Sequence, residues 1–204
     1  ASSRSLIKDG GLAGICPCPW RQLTVNDVID GADGLVSSGP FLGLEGNDIQ
    51  LANHQHAAQA CASDLKAQGW QVRRGDSLCG EARLVGAELP RLRPGQALVL
   101  SGETSVEGPY LGQGGRNLEL VGGWLLNAKR SQPWALVSGA SDGLDGTSGA
   151  AGAAVCSGAA FSLEELRTAL GRHATAPWFE RHQALLPKHD PICHVGDLLV
   201  LLQG

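Results

Sequence analysis

Two short apolar runs that each stop at a polar, glycine-bearing loop set the strongest limit on how this chain folds. Ala97, Leu98, Val99 and Leu100 run into Ser101, Gly102, Glu103 and Thr104, while Trp134, Ala135, Leu136 and Val137 run into Ser138, Gly139 and Ala140. A continuous apolar run without polar alternation is what a strand covered on both faces needs. Such cover calls for helices, and the rest of the sequence supplies them. Residues 53–68 carry Ala58, Cys61, Ala62 and Leu65 on one face and stop at Gly69, as an amphipathic helix with a glycine end does. Trp70, Gln71 and Val72 read as a short strand, and Leu78, Ala82, Val85 and Leu89 recur at helical spacing until Pro90. The turn Gly112 to Gly115 feeds a helix that opens at Arg116 and carries Leu118, Leu120 and Trp124. The alanine-rich stretch after Gly146 predicts a further helix. Ser162 and Glu165 form a capping box ahead of the Leu163, Leu166, Leu170 stripe, and residues 194–202 read as a final strand.

Strands alternating with helices predict an α/β fold, a mixed, largely parallel sheet with helices on both faces. In such sheets ligands bind beyond the carboxyl ends of the strands. That rule puts the polar loops at 101–117 and 138–146 on one edge. Glycine, with 29 residues, is abundant enough to require many tight turns between short elements.

Charge and apolar content narrow the partners. The net charge is −4, and basic residues such as Lys66, Arg73, Arg91 and Arg116 are scattered, so no nucleic-acid partner is expected. No apolar run approaches the roughly 20 residues that cross a bilayer, and Ala1 to Arg4 open no signal peptide. A cytoplasmic protein is expected, or an organellar one after removal of a transit peptide, with no membrane partner and with oligomers left open. The six cysteines are too sparse for a disulfide scaffold and are expected to be reduced, with Cys61, Cys79 and Cys156 as small apolar filler. Cys16 and Cys18 have no second pair to complete a metal site. The histidines lack metal spacing, and His54 and His56 suit a helix start.

Three clusters join charged side chains to glycines: Asn26-Asp27-Val28; Glu103 and Thr104 with Gly114, Gly115, Arg116 and Asn117; and Asp142-Gly143-Leu144-Asp145-Gly146. Glycines let a backbone approach a ligand closely, and a helix N-terminus beyond Gly115 favours an anion. An arginine there clamps a carboxylate or phosphate through its planar fork, and carboxylates opposite it suit magnesium or the proton of a reacting hydroxyl. Asp-Gly steps are also ordinary turn formers that need carry no chemistry.

These segments, in this order, resemble the class II glycerate kinase family, whose C-terminal portion is the MOFRL domain. The likeness runs through Ser5 to Ala13, Asn26 to Pro40, Ser101 to Val106, Gly114 to Asn117, which matches the family's Gly-Gly-Arg-Asn, and Ser141 to Gly152. The resemblance implies the C-terminal half of a two-domain kinase. Residues 1–94 would end the N-terminal region with its connecting helices, and residues 95–204 would form the MOFRL-like domain. It implies transfer of the ATP γ-phosphoryl group to D-glycerate, giving 2-phosphoglycerate, with ATP and Mg2+ as cofactors and a glycerate-like hydroxy acid as substrate. Asp27 and Arg116 would be catalytic. Ser101, Glu103, Thr104, Gly114, Gly115, Asn117, Asp142 and Gly143 would line the substrate site, and Glu103, Asp142 and Asp145 would hold the metal. Gly31, Phe41, Gly149 and Gly196 depart from the family pattern, and the family's glycine-serine phosphate loop has no counterpart here, so activity is expected to need the N-terminal half. The alternative is a small-molecule-binding or interaction domain that retained the scaffold without the chemistry. An enzyme of hydroxypyruvate is a weaker third reading, because the chain lacks an NAD fingerprint.

Overall fold

The computed structural model describes residues 53–75, 77–109, 112–128, 132–190 and 194–204. Asp27, Gly31, Phe41, Cys16, Cys18 and the motifs before residue 53 lie outside the described residues. Helix α1 (His54–Ala67) is followed by β1 (Gln71–Arg74), α2 (Ala82–Ala87), β2 (Gln96–Gly102), α3 (Arg116–Asn127) and β3 (Trp134–Ala140). Then come β4 (Gly152–Cys156), α4 (Leu163–Gly171), α5 (Ala176–Arg181), β5 (Leu185–Leu186) and β6 (Asp197–Gln203). The six strands form one sheet in the order β1-β2-β6-β3-β4-β5. Because β1 pairs with β2, the sheet joins residues on both sides of position 94.

Both faces are covered. Ala97 and Val99 of β2 and Val200 and Leu202 of β6 face Ala58, Cys61, Ala62 and Leu65 of α1. Leu98, Leu199 and Leu201 point the other way, into a larger core with Leu118, Val121, Leu125, Leu166, Trp178 and Phe179. The period-two alternation of a strand sends neighbours to opposite faces, and here each face is apolar. Each buried leucine contributes about 2 kcal/mol. Burial pushes the Cys61 thiol up to about 12, which leaves it protonated and inert, as a filler residue should be.

The sheet is not largely parallel. Among the strands of the described residues only β1 and β2 pair in parallel; β6 lies antiparallel between β2 and β3, and β4 and β5 add two more antiparallel pairs. The apolar runs identify covered strands, but nothing in them fixes direction, and the C-terminal strand inserts between two strands that point the same way. The predicted helix after Gly146 is instead β4: all five of its residues are buried, and pairing with β3 overrides the helical preference of alanine. Ser162 does precede α4, yet its side chain makes no capping hydrogen bond. Cys156 is disulfide-bonded rather than reduced.

Helices α2 and α3 touch backbone to backbone. A Cβ on Gly86 would fall 2.0 Å from the Leu120 carbonyl oxygen, and one on Gly123 would fall 2.3 Å from that of Arg83. Gly86→Ala is therefore expected to destabilise the chain by about 3 kcal/mol through overpacking. Gly171→Ala, at a helix position where a Cβ meets nothing within 4 Å, should stabilise it by about 0.5 kcal/mol. Denaturant midpoints of the two variants check the contrast.

Candidate functional site

Strands β2 and β3 point the same way and end at the same edge of the sheet. Between them β6 runs in the opposite direction, so its first residue, Asp197, lies level with Gly102 on one side and Ala140 on the other. The two polar loops therefore leave the sheet beside the start of β6, and α3 begins with Arg116 at the same corner.

Arg116 spans this corner. Its Nε and Nη2 donate to the two carboxylate oxygens of Asp197 at 2.5 and 2.8 Å, a fork-to-carboxylate match. Its Nη1 meets Oε1 of Glu103 at 2.9 Å. The two acids differ in setting: the Asp197 side chain is 1% exposed and that of Glu103 56%. The hydrogen bonds to Asp197 raise the pKa of Arg116 above its already high value, and the guanidinium stays charged. Burial pushes the Asp197 carboxyl up, while Arg116 pulls it down.

A second buried acid sits behind the first. Asp145 is fully buried; its Oδ1 accepts from the backbone N–H of Asn117 at 3.1 Å and from the Asn117 side chain at 3.3 Å, and its Oδ2 accepts from the backbone N–H of Leu118 at 3.1 Å. Those backbone donors belong to the first turn of α3, whose N-cap, Gly115, has no side chain to offer. The anion expected at this helix N-terminus is thus the protein's own. Gly115 permits the approach, since a Cβ there would lie 2.3 Å from the Asp145 Cγ. Asn117 completes the network by accepting from the Ser138 hydroxyl at 2.5 Å. Burial pushes the Asp145 carboxyl up to about 6, against the pull of its N–H donors.

The other residues singled out from sequence divide between those that support these loops and those that contact other elements. Gly114 ties its loop to the Asp145 loop: its carbonyl accepts from the Thr147 N–H at 2.8 Å. Gly143, at φ +78, forms a turn whose N–H donates to the Ala140 carbonyl at 3.0 Å. Thr104 is buried just beyond Glu103. Ser101 is turned toward α1, where its hydroxyl lies 3.0 Å from Nδ1 of His54, so it sits across the sheet from Arg116. Asp142 accepts from the Leu144 N–H at 3.2 Å and lies 3.7 Å from Nδ1 of His194.

Glu103, Asp142 and Asp145, the carboxylates expected to hold magnesium, lie apart from one another in their contacts. Each carboxylate has a separate partner, both oxygens of Asp145 are taken by N–H donors, and among the described residues no group of three or more His, Cys, Asp or Glu is placed to hold a metal ion. The sequence reading gives Asp197, Ser138, His54 and His194 no role in the site. Asp197 left one signal: an acid abutting the apolar run Leu198 to Leu202, at the mouth of a strand covered on both faces.

Residues 96–195 match the model of the MOFRL family. A protein of Agrobacterium vitis named for hydroxypyruvate reductase is 32% identical over 182 residues, covering 79% of this chain and 47% of that protein. The glycerate 2-kinase of Picrophilus torridus is 44% identical over 57 residues, covering 28% of this chain and 14% of the enzyme. Among solved structures, a glycerate kinase of Thermotoga maritima superposes with a TM-score of 0.68 at 27% identity, over 76% of this chain and 41% of that one. A protein of Pyrococcus horikoshii OT3 gives a TM-score of 0.67 at 24% identity, over 76% of this chain and 39% of that one, and shares the fold. The chain spans less than half the length of each of these relatives.

Proposed function

From the match of residues 96–195 to the MOFRL family model, we propose that this chain forms the C-terminal part of a glycerate kinase, which transfers the γ-phosphoryl group of ATP to D-glycerate and yields 2-phosphoglycerate. The observation that carries this reading is Arg116. It stands at the strand ends with its charge held by a buried carboxylate and one nitrogen turned toward a half-exposed one. A guanidinium so held suits the carboxylate of glycerate or the phosphoryl group in transit. Phosphoryl transfer asks chiefly for positioning and charge neutralisation. In the reaction the substrate hydroxyl oxygen bonds to the γ-phosphorus, the bond to ADP breaks, and the hydroxyl proton passes to a base, the role assigned to Asp27. Glu103, Thr104, Gly114, Gly115, Asn117, Asp142 and Gly143 shape the wall around Arg116. The nucleotide falls to the N-terminal half of the enzyme, and Glu103, Asp142 and Asp145 are the carboxylates of this chain proposed for its magnesium. Both oxygens of Asp145 already serve α3, an observation that favours a second reading, a hydroxy-acid-binding domain without catalysis.

ATP-dependent phosphorylation of D-glycerate separates the two. Activity is expected when the chain is mixed with the N-terminal half of a glycerate kinase, and not from the chain alone. A mixture that stays inactive, while the same N-terminal half is rescued by its own C-terminal partner, establishes the binding domain instead.

A further inference from the structure

The two carboxylates on Arg116 differ in each property that governs their response to a ligand. Asp197 is 1% exposed, engages two guanidinium nitrogens, and stands on a strand paired on both sides. Glu103 is 56% exposed, engages one nitrogen, and lies one residue past the last ladder pair of β2. An oxyanion arriving at this corner finds the Asn117 and Leu118 amides already bound by Asp145. Nη1 of Arg116 is a donor covered by a half-exposed side chain that holds it through one contact.

We propose that Asp197 is a positioning residue that aims Arg116 at the crevice mouth, and that Glu103 is a place-holder displaced from Nη1 by the oxyanion of the ligand. The proposal rests on the reading of this corner as an anion site, and it applies to a carboxylate or a phosphoryl group alike. It makes a prediction that charge alone contradicts. Removing either negative charge makes the corner more positive, so electrostatics by itself strengthens anion binding in both Asp197→Asn and Glu103→Gln. Aiming and place-holding give opposite signs: Glu103→Gln vacates the seat, whereas Asp197→Asn loosens the fork that holds the guanidinium in line.

The test titrates the 204-residue chain with D-glycerate and, separately, with inorganic phosphate at fixed ionic strength. Binding is read by calorimetry, and the Nε–H resonance of Arg116 reports its immobilisation. Glu103→Gln is expected to tighten binding roughly fivefold, the scale of an exposed ion pair. Asp197→Asn is expected to weaken it about tenfold and to broaden the Nε–H resonance. Thermal melting shows whether Asp197→Asn is folded; should it not fold, Asp197→Glu, which keeps the charge and displaces the fork, takes its place with the same weakening and broadening expected. Unchanged or weaker binding in Glu103→Gln, tighter binding in a folded Asp197→Asn, or no binding of either anion by any variant up to about 50 mM would overturn the proposal. Opposite signs with phosphate and no response to D-glycerate keep the proposal and refute the glycerate kinase. D-glycerate binding that ignores Glu103 does the reverse.

Discussion

Asp145→Ala is expected to destabilise the chain by about 3 kcal/mol at neutral pH, the cost of two buried backbone N–H groups and a side-chain amide left without an acceptor, together with a small cavity. The donors belong to Asn117 and Leu118, and no side chain at Gly115 replaces the lost oxygens. Part of the loss is offset because ionised Asp145 is penalised by its own burial, which holds its carboxyl at about 6. The sign follows from linkage. The folded chain binds this proton more tightly than the unfolded chain, whose carboxyl titrates near about 4. Stability from this group is whole below about pH 4 and falls as the pH rises to about 6. Asp145→Ala removes that slope, so its penalty should be larger at pH 4 than at pH 7. Burial likewise raises Asp197 and Glu119, so a slope of the same sign survives in the variant. Urea unfolding at the two pH values checks the claim. A penalty that shrinks in acid would show that the N–H donors, and not burial, dominate the proton affinity of Asp145.

The parts of the fold that were legible are those where side-chain pattern and burial coincide. Ala58, Cys61, Ala62 and Leu65 announce the buried face of α1, and the runs at 97–100 and 134–137 announce two covered strands. Direction was not legible, because a strand covered on both faces reads the same whether its neighbour is parallel or antiparallel. Residues 152–156 misled for a related reason: alanine and glycine carry little pattern, and their strand exists because β3 and β5 pair with it. In the site, glycines that bracket a charged residue drew attention to Arg116 and Asp145, since close backbone approach needs them. Whether Asp145 faces a ligand or the first turn of its neighbouring helix depends on three-dimensional distance alone. Asp197 was hidden because its partner lies 81 positions earlier in sequence, and an acid opening a strand looks like an ordinary strand end.

Arg116→Ala should cost about 3–5 kcal/mol in stability, because it strands the Asp197 carboxylate, 1% exposed, in a dry setting without its partner. The reverse truncation, Asp197→Ala, should cost less, since the Arg116 side chain is 21% exposed and keeps Glu103. Removing both charges with shapes retained, as in Arg116→Met with Asp197→Leu, is expected to recover most of the stability, because a buried ion pair offsets its own desolvation only narrowly. A double-mutant cycle on unfolding free energies, with Arg116→Met and Asp197→Leu as its single variants, therefore predicts a coupling above about 2 kcal/mol. Additive losses would mean that the pair is not what holds this corner. The double variant also separates folding from function: a chain that melts like the parent yet no longer binds D-glycerate or phosphate has lost the guanidinium together with the carboxylate that holds it, and not its fold. Should that variant still bind either anion, Arg116 would not be the residue that receives it, and the kinase reading would lose its anchor at this edge of the sheet.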